Sequence, residues 1–220
     1  MAEQSSTRSD RAELLVWTDV DPVFEQDFNR WYDREHMAER VGIPGFHWAR
    51  RYRAANGPRP YLALYRTDSL GTFKSAAYQH AFANQTAWSR TNLGRMRDAV
   101  RRVATVPLSV GTGTGGAVAL VRLPPGEGVV DRVSGALGRA LESDGALGAR
   151  LLIPDGELST PLPAASKTEL VLMPLLVIEA TDEAAAAAAG RRVEDTLAPG
   201  REDGVATFTL MWELRADQLV

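Results

Sequence analysis

Cysteine is absent from the 220 residues, which excludes disulfides, thiolate metal centres, iron–sulfur clusters and cysteine nucleophiles together. Histidine is scarce: His36, His47 and His80 are the three present. None has a second ligand at metal spacing and no HExxH pattern occurs, so no protein-bound zinc or iron is expected. Long apolar runs are also missing. The longest, Leu170 to Ile178, is interrupted by Pro174 and is too short to span a bilayer. Met1 to Asp10 is polar and lacks the hydrophobic stretch of a secretory signal, so a cytoplasmic location and no membrane partner are expected. Charge of one sign is not in excess either. Lys and Arg total 25 against 28 Asp and Glu, a net charge of −3, and without a positive field nucleic acid is not an expected partner.

What remains is an ordinary globular composition, 45% hydrophobic and 24% charged, in a chain long enough to bury roughly 70–75% of its unfolded surface. Its order can be read from periodicity. Leu14 to Asp19 is a short apolar run ending at Asp21-Pro22, an acidic cap followed by proline at the first helical position. From Val23 to about Arg40, Phe24, Phe28, Trp31 and Tyr32 recur at helical spacing, and Gly42, Pro44 and Gly45 end the helix. Phe46 to Arg53 alternates as a strand, with Phe46, Trp48, Arg50 and Tyr52 on one face and His47, Ala49, Arg51 and Arg53 on the other. Asn56-Gly57-Pro58 turns the chain into a return strand, Tyr61 to Thr67. Helical segments follow from Ser69 to Tyr78 and from Ala87 to Arg97, and Val100 to Val110 closes the unit as a strand. The order is βαββαβ.

Gly111 to Gly116 is a flexible linker by composition; it lacks the Lys-Ser/Thr ending of a phosphate loop and precedes a strand. The same order then returns: strand Ala117–Leu123, helix Val129–Leu141, strands Ala149–Ile153 and Leu170–Ala180, helix Asp182–Leu197, strand Val205–Leu214. The expected fold is therefore α+β, two tandem ferredoxin-like repeats at residues 12–110 and 117–220, with 1–11 as a disordered tail and 111–116 as linker. A four-stranded sheet with both helices on one face leaves its other face apolar. Packing the two sheets face to face would give an intramolecular pseudo-dimeric α/β barrel whose interior could hold a ligand.

The stretch from Phe28 to Phe46, with Ala49-Arg50-Arg51-Tyr52 and Tyr61 to Tyr65, resembles the EthD-like members of the dimeric α/β-barrel superfamily, over residues 12 to 105. That superfamily includes cofactor-free monooxygenases, muconolactone isomerases and polyketide cyclases and dehydratases, so the fold constrains the reaction only weakly. The resemblance implies a functional histidine at the end of the first helix, just before the Pro-Gly turn, a position His36 occupies. Some two-repeat barrels of the superfamily bind haem through a histidine in the second repeat; here that half has none and is degenerate.

His36 suits general acid–base work because its ordinary pKa lies near neutrality. Tyr32 and Asp33 precede it by four and three residues and Arg40 follows by four, all within helical reach; Asp33 could orient the imidazole. The alternative is a helix-terminal histidine that only complements the macrodipole. Arg50 could meet an enolate oxygen from among Trp48 and Tyr52, or could simply form an interface ion pair. Tyr61 and Tyr65 could line a pocket, or be ordinary strand aromatics. Trp31, Trp88 and Trp212 read as core. Arg90, Arg95, Arg97, Arg101 and Arg102 read as a solvated basic face balanced by acids.

The expected function is a cofactor-independent enzyme acting by proton transfer on a small hydrophobic or aromatic metabolite. The reaction would be an isomerisation, cyclisation or dehydration, or a cofactor-free monooxygenation. The catalytic candidates are His36, Asp33 and Arg50, and the substrate-binding candidates Tyr32, Trp48, Tyr52, Tyr61 and Tyr65. The alternative is a non-catalytic binding or assembly protein. No cofactor and no metal are expected, and a monomer or weak homodimer is, with exposed sheet edges as the route to association.

Overall fold

Alternation along the strands separates two sets of side chains, and the way the strands pair decides what each set meets. The structure, a computed structural model, describes residues 10–159, 172–199 and 204–219. Its strands are β1 (Ala12–Val20), β2 (Phe46–Arg53), β3 (Tyr61–Thr67), β4 (Met96–Gly111), β5 (Ala117–Arg122), β6 (Ala146–Pro154), β7 (Leu175–Ala180) and β8 (Val205–Arg215). They form one closed barrel in the order β1-β3-β2-β8-β5-β7-β6-β4, every neighbour antiparallel. The two long strands join the halves: β4 pairs with β1 and β6, and β8 pairs with β5 and β2. The Leu170 and Val171 portion of the expected seventh strand and the expected N-terminal tail through Ser9 lie outside the described residues.

Helices cover the outside. The first layer contains α1 (Glu25–Trp31), a π-turn at Tyr32–His36, α2 (Met37–Val41), α3 (Ala76–Ala83) and α4 (Ala87–Gly94); the second contains α5 (Val129–Ala140) and α6 (Glu183–Leu197). Side-chain caps start several of them as the sequence requires: Asp21 accepts from Val23 N–H, Thr86 from Ser89 and Asp182 from Ala185. The helix expected to reach Arg97 ends at Gly94, and β4 takes over from Met96.

Three apolar clusters result. Phe28, Trp31, Tyr32, Met37, Tyr61, Tyr65 and their neighbours lie between the first helices and the outer sheet face. Leu137, Leu151, Ile178, Ala186 and Ala189 lie under the second pair. Leu15, Trp17, Trp48, Tyr52, Leu64, Val106, Leu120, Val177 and Phe208 fill the barrel. Where a ligand was expected inside the barrel, these side chains occupy the interior, one of the two outcomes that eight strands allow. Closure also pairs the sheet edges through which association was expected. In β2 a register shift between Phe46 and Trp48 turns Phe46 to the helix side, away from the Trp48, Arg50 and Tyr52 face to which simple alternation assigned it.

The barrel core is not wholly apolar. Arg66 donates to Glu13 from Nε and Nη2, at 2.8 and 2.5 Å, and Arg150 Nε lies 2.7 Å from the same carboxylate. Arg150 Nη1 donates to Glu179 at 2.7 Å, Arg50 Nη1 to Glu179 at 3.0 Å, and Arg50 Nε to Glu213. Three arginines thus meet three glutamates in an alternating chain with no net charge. Trp48 sits among them, its ring centroid 4.0 Å from the Arg50 guanidinium carbon. Burial opposes ionisation of Glu13, but Arg150 and Arg66 outweigh it and hold the carboxyl below its usual range.

Gly111, Gly115 and Gly116 of the segment after β4 lie close against neighbouring backbone, while Gly113 has open space around it. A Cβ on Gly115 would stand 1.8 Å from the Ala180 carbonyl oxygen, and Gly111 has φ +75° with the Leu147 carbonyl 2.2 Å from where its Cβ would be. Between them Thr114 accepts a hydrogen bond from Arg50, and Gly115 N–H points at Glu179.

Two stability predictions follow from these contacts. Arg150→Met leaves Glu13 and Glu179 under-compensated in the barrel and is expected to cost about 3–5 kcal/mol in urea unfolding. Gly115→Ala, harmless in a free linker, is expected to cost about 1–3 kcal/mol by the same measurement; an unchanged midpoint would show that the segment is not held against Ala180.

Candidate functional site

The chemistry-bearing residues expected from sequence divide between the two faces of the sheet. Arg50, Trp48 and Tyr52 face the barrel interior, where Arg50 is committed to Glu179, Glu213 and Thr114. His36, Tyr32, Tyr61 and Tyr65 lie on the helix side. Arg50 therefore cannot act with His36, and the alternative of an interface ion pair is the one the structure displays. Tyr52 is buried against Glu179, and burial and that carboxylate push its phenol far up from the ordinary value.

The π-turn sets the geometry around His36. Met37 N–H donates to Tyr32 O across five residues instead of four, a local widening that recurs at functional positions in helices. It presents Trp31, Tyr32 and His36 together to the sheet. The imidazole lies 4.2 Å from the Trp31 ring and 5.1 Å from the Tyr32 ring, measured between centroids, with Tyr65 at 6.4 Å. It is 8% exposed and makes no hydrogen bond among the described residues; Nδ1 has only the Glu39 carboxylate, at 3.9 Å.

Asp33 does not orient the imidazole. It turns outward to accept from Trp212 Nε1 at 3.0 Å and to meet Arg51 at 3.4 Å. Tyr61 is likewise occupied, donating to Glu25 and accepting from Asn29. Arg51 is buried beneath this group, 4.1 Å from the Tyr32 ring centroid and donating to Asn29 at 2.6 Å.

A narrow cleft of about 50 Å³ opens beside His36, walled by Leu14, Val16, Tyr32, Arg40, Tyr65, Tyr78, Phe82 and Arg101. It shares Tyr78, Phe82 and Arg101 with an outer recess of about 280 Å³. Arg101 is held in that wall by Tyr78 Oη at 3.0 Å and the Leu158 carbonyl; of the expected basic face, Arg95 and Arg97 do pair with acids, Asp27 and Asp21. Arg40 is the cation that sequence analysis placed within reach of His36 but did not select. It is 5% exposed, its Nε is unpartnered, and its nearest carboxylate oxygen, on Glu39, is 3.9 Å away. The Tyr65 hydroxyl is also buried. The cleft wall therefore carries an imidazole, a cation and a hydroxyl coupled to the Tyr32 phenol. Its size and the location of all three histidines in the first half do not suit a haem macrocycle. Among the described residues no cluster of three or more potential metal ligands occurs, and no helix is long and apolar enough to cross a membrane.

Burial pushes the His36 pKa well below the usual 6.5, and the Arg40 and Arg51 cations push it further. The unfolded chain therefore takes up a proton on this residue at higher pH than the folded one. Above pH 6.5 both states are neutral there and the residue contributes no pH dependence; as pH falls through 6.5 the unfolded state gains, and the fold is weakened. His36→Phe should remove this sensitivity. Between pH 7.5 and 5.5 the wild type is expected to lose up to about 1.4 kcal/mol more unfolding free energy than the variant. Equal losses in chemical denaturation would mean that His36 protonates as readily folded as unfolded.

No family model matches the chain, and no curated protein matches it in sequence. Solved structures do match its fold. An anthrone oxidase-like protein superposes with a TM-score of 0.62 at 11% identity, covering 98% of this chain and 97% of that one. A Lactobacillus acidophilus protein named for monooxygenase activity gives 0.59 at 7% identity, covering 94% and 97%. A chlorite dismutase from Candidatus Nitrospira defluvii gives 0.55 at 10% identity, covering 94% and 93%. The protein thus has the dimeric α/β-barrel fold, closed here within a single chain.

Proposed function

We propose that this protein is a cofactor-independent enzyme that removes a proton from a small, hydrophobic, aromatic substrate in the cleft beside His36. The observation that carries the reading is the buried, neutral imidazole with an unpartnered Nδ1 on the same wall as the under-paired Arg40 and the Tyr65 hydroxyl, which is coupled to the Tyr32 phenol. A base whose pKa is depressed by burial and then by neighbouring cations matches an acidic carbon acid or phenol. The anion formed on the substrate then sits beside Arg40, with Tyr65 able to donate to it, and offsets the cost of the imidazolium. Arg40 thus takes the role that sequence analysis assigned to Arg50.

The named activities of the anthrone oxidase-like and monooxygenase-named neighbours favour oxygenation over isomerisation, cyclisation or dehydration. With dioxygen as co-substrate, an activated methylene becomes a carbonyl and one water is released. Phe82, 39% exposed, stands between the cleft and the outer recess, and its movement would admit a ring larger than the cleft now holds.

The same reading takes residues 12–110 and 117–220 as tandem ferredoxin-like repeats joined by 111–116. Corresponding strand orders, β4-β1-β3-β2 and β8-β5-β7-β6, support this. EthD-like kinship rests on His36 ahead of Ile43-Pro44-Gly45, and closure inside one chain supports a monomer or weak homodimer.

The test is dioxygen uptake with an anthrone as probe, for the wild type and His36→Gln, alongside thermal unfolding. Uptake matched one-to-one by anthrone loss is expected, with kcat reduced at least about 100-fold in the variant and Tm little changed. Anthrone binding without turnover would replace the enzyme by a ligand-binding protein. Turnover untouched by His36→Gln would remove the residue from the chemistry.

A further inference from the structure

Arg101, grouped by sequence with a solvated basic face, is buried. The β1–β4 register sets it opposite Val16, so it turns to the helix side of the sheet, where it lines the cleft with Leu14 and Val16 and is 9% exposed. Its guanidinium carries five N–H donors. Nη1 donates to the Leu158 carbonyl and Nη2 to the Tyr78 hydroxyl at 3.0 Å, both uncharged acceptors. Among the described residues no carboxylate forms an ion pair with Arg101, in contrast to Arg95 and Arg97, which meet Asp27 and Asp21. The cleft lining contains neither Asp nor Glu. One carboxylate, Glu157, lines the outer recess, but it is exposed and lies 3.4 Å from Lys74 Nζ. Arg101 is thus fixed in position without being neutralised, an arrangement that an incoming anion would complete.

Arg101 stands where the two spaces join. His36, Arg40 and Tyr65 line the cleft alone, whereas Arg101, Tyr78 and Phe82 line both the cleft and the recess of about 280 Å³. Tyr78 is held rigidly at this junction, its ring stacked on Phe46 with centroids 6.2 Å apart and edge to face with Phe73 at 5.3 Å. Its hydroxyl accepts from Arg101 and donates to none of the described residues, so its proton remains for a further acceptor.

We infer that the ligand of this cleft is an aromatic acid, its carboxylate held by Arg101 and Tyr78 and its ring directed toward His36. The inference rests on the proton-transfer reading in calling that ligand the substrate. A carboxylate accepts charge-assisted hydrogen bonds from a guanidinium in planar, directed geometry, and Tyr78 and Phe82 supply aromatic surface beside it. Arg101 is then a specificity-determining residue with a task distinct from that of Arg40. Arg101 meets charge the substrate already carries and so orients the ring; Arg40 meets the charge that develops when His36 takes the proton.

The experiment is calorimetric titration at pH 7.5 with 2-naphthoate and, as its uncharged counterpart, 2-naphthamide. The wild type is expected to bind one naphthoate, with the amide at least about tenfold weaker. Arg101→Gln, checked for folding by thermal unfolding, is expected to bring the acid down to the affinity of the amide. Tyr78→Phe, a smaller change, is expected to weaken the acid about threefold and leave the amide unaltered, and His36→Gln to preserve the preference for the acid. Equal affinity for acid and amide in the wild type overturns the inference without recourse to any variant. So does absence of binding, or a preference for the acid that survives in folded Arg101→Gln. The titrations need no turnover. A protein that binds naphthoate through Arg101 and leaves anthrone unoxidised loses the enzyme reading and keeps this site, while one that oxidises anthrone and does not distinguish acid from amide does the reverse.

Discussion

Closing eight strands within one chain fixes how much room is left inside them, and most of the molecule's other features answer to that limit. The interior accommodates side chains and little more, so every residue that alternation directs inward must be satisfied by another such residue. For Leu15, Leu64 and Val177 this is ordinary packing. For Glu13, Glu179, Arg50 and Arg150 it demands an ionic chain in which each charge touches its opposite, because an isolated buried charge would be far more costly. Whether the chain adds stability over an apolar core is a separate matter; its geometry specifies which halves of the sheet come together. Arg50 reaches from β2 to Glu213 on β8 and Glu179 on β7, and Arg150 on β6 reaches Glu13 on β1. Both junctions between the halves are therefore spanned by charge pairs.

A filled barrel leaves ligands two kinds of place: beneath the helices or at the barrel's ends. Beneath the first helices, the π-turn at Tyr32–His36 shifts the register so that an imidazole, a phenol and an indole share one direction. The low polarity that keeps His36 neutral also strengthens the field of Arg40 on whatever anion forms nearby. In the proposed reaction, base and anion stabiliser would thus depend on the same dry environment.

The sequence carried much of this, and its shortfalls have physical causes. The helix start at Asp21-Pro22 was legible because capping is local chemistry; the caps at Thr86 and Asp182 are the same chemistry, seen in the structure. The element order was legible because the 2.0 and 3.6 periods are distinct. His36 was singled out by its position in a family-like segment, and it does lie buried beside a cleft. Alternation correctly separated Arg50 from Arg51, but it gives no sign of which face of the sheet meets the helices, so Arg50 was grouped with His36 across a sheet that separates them. The bulge at His47 moved Phe46 for the same reason: one inserted residue changes the face and leaves no mark in a hydrophobic pattern. Arg40 was in reach of His36 by spacing, yet its lack of a close carboxylate is a tertiary fact. The glycines at 111 and 115 looked like flexibility because composition cannot tell a free turn from a close backbone crossing.

The difference between the two helical layers explains why a cleft forms in one place. On α6 the inward residues are Ala186, Ala189, Gly190 and Val193, none of them aromatic, and a Cβ on Gly190 would stand 2.7 Å from Val205 and 3.1 Å from the Ala119 Cβ. That helix lies directly on the sheet, and at this point no gap remains. On α1 and the π-turn the inward residues are Phe28, Trp31, Tyr32 and His36, whose rings hold the backbone away from β1 and β3. Large rigid rings do not fill every space between a curved sheet and a helix, and the residual space falls where Leu14, Val16 and Tyr65 face them. The capacity for a ligand is therefore set by side-chain size on one helix face, and the residues that create the space are the same ones that bring His36 and Arg40 to its edge.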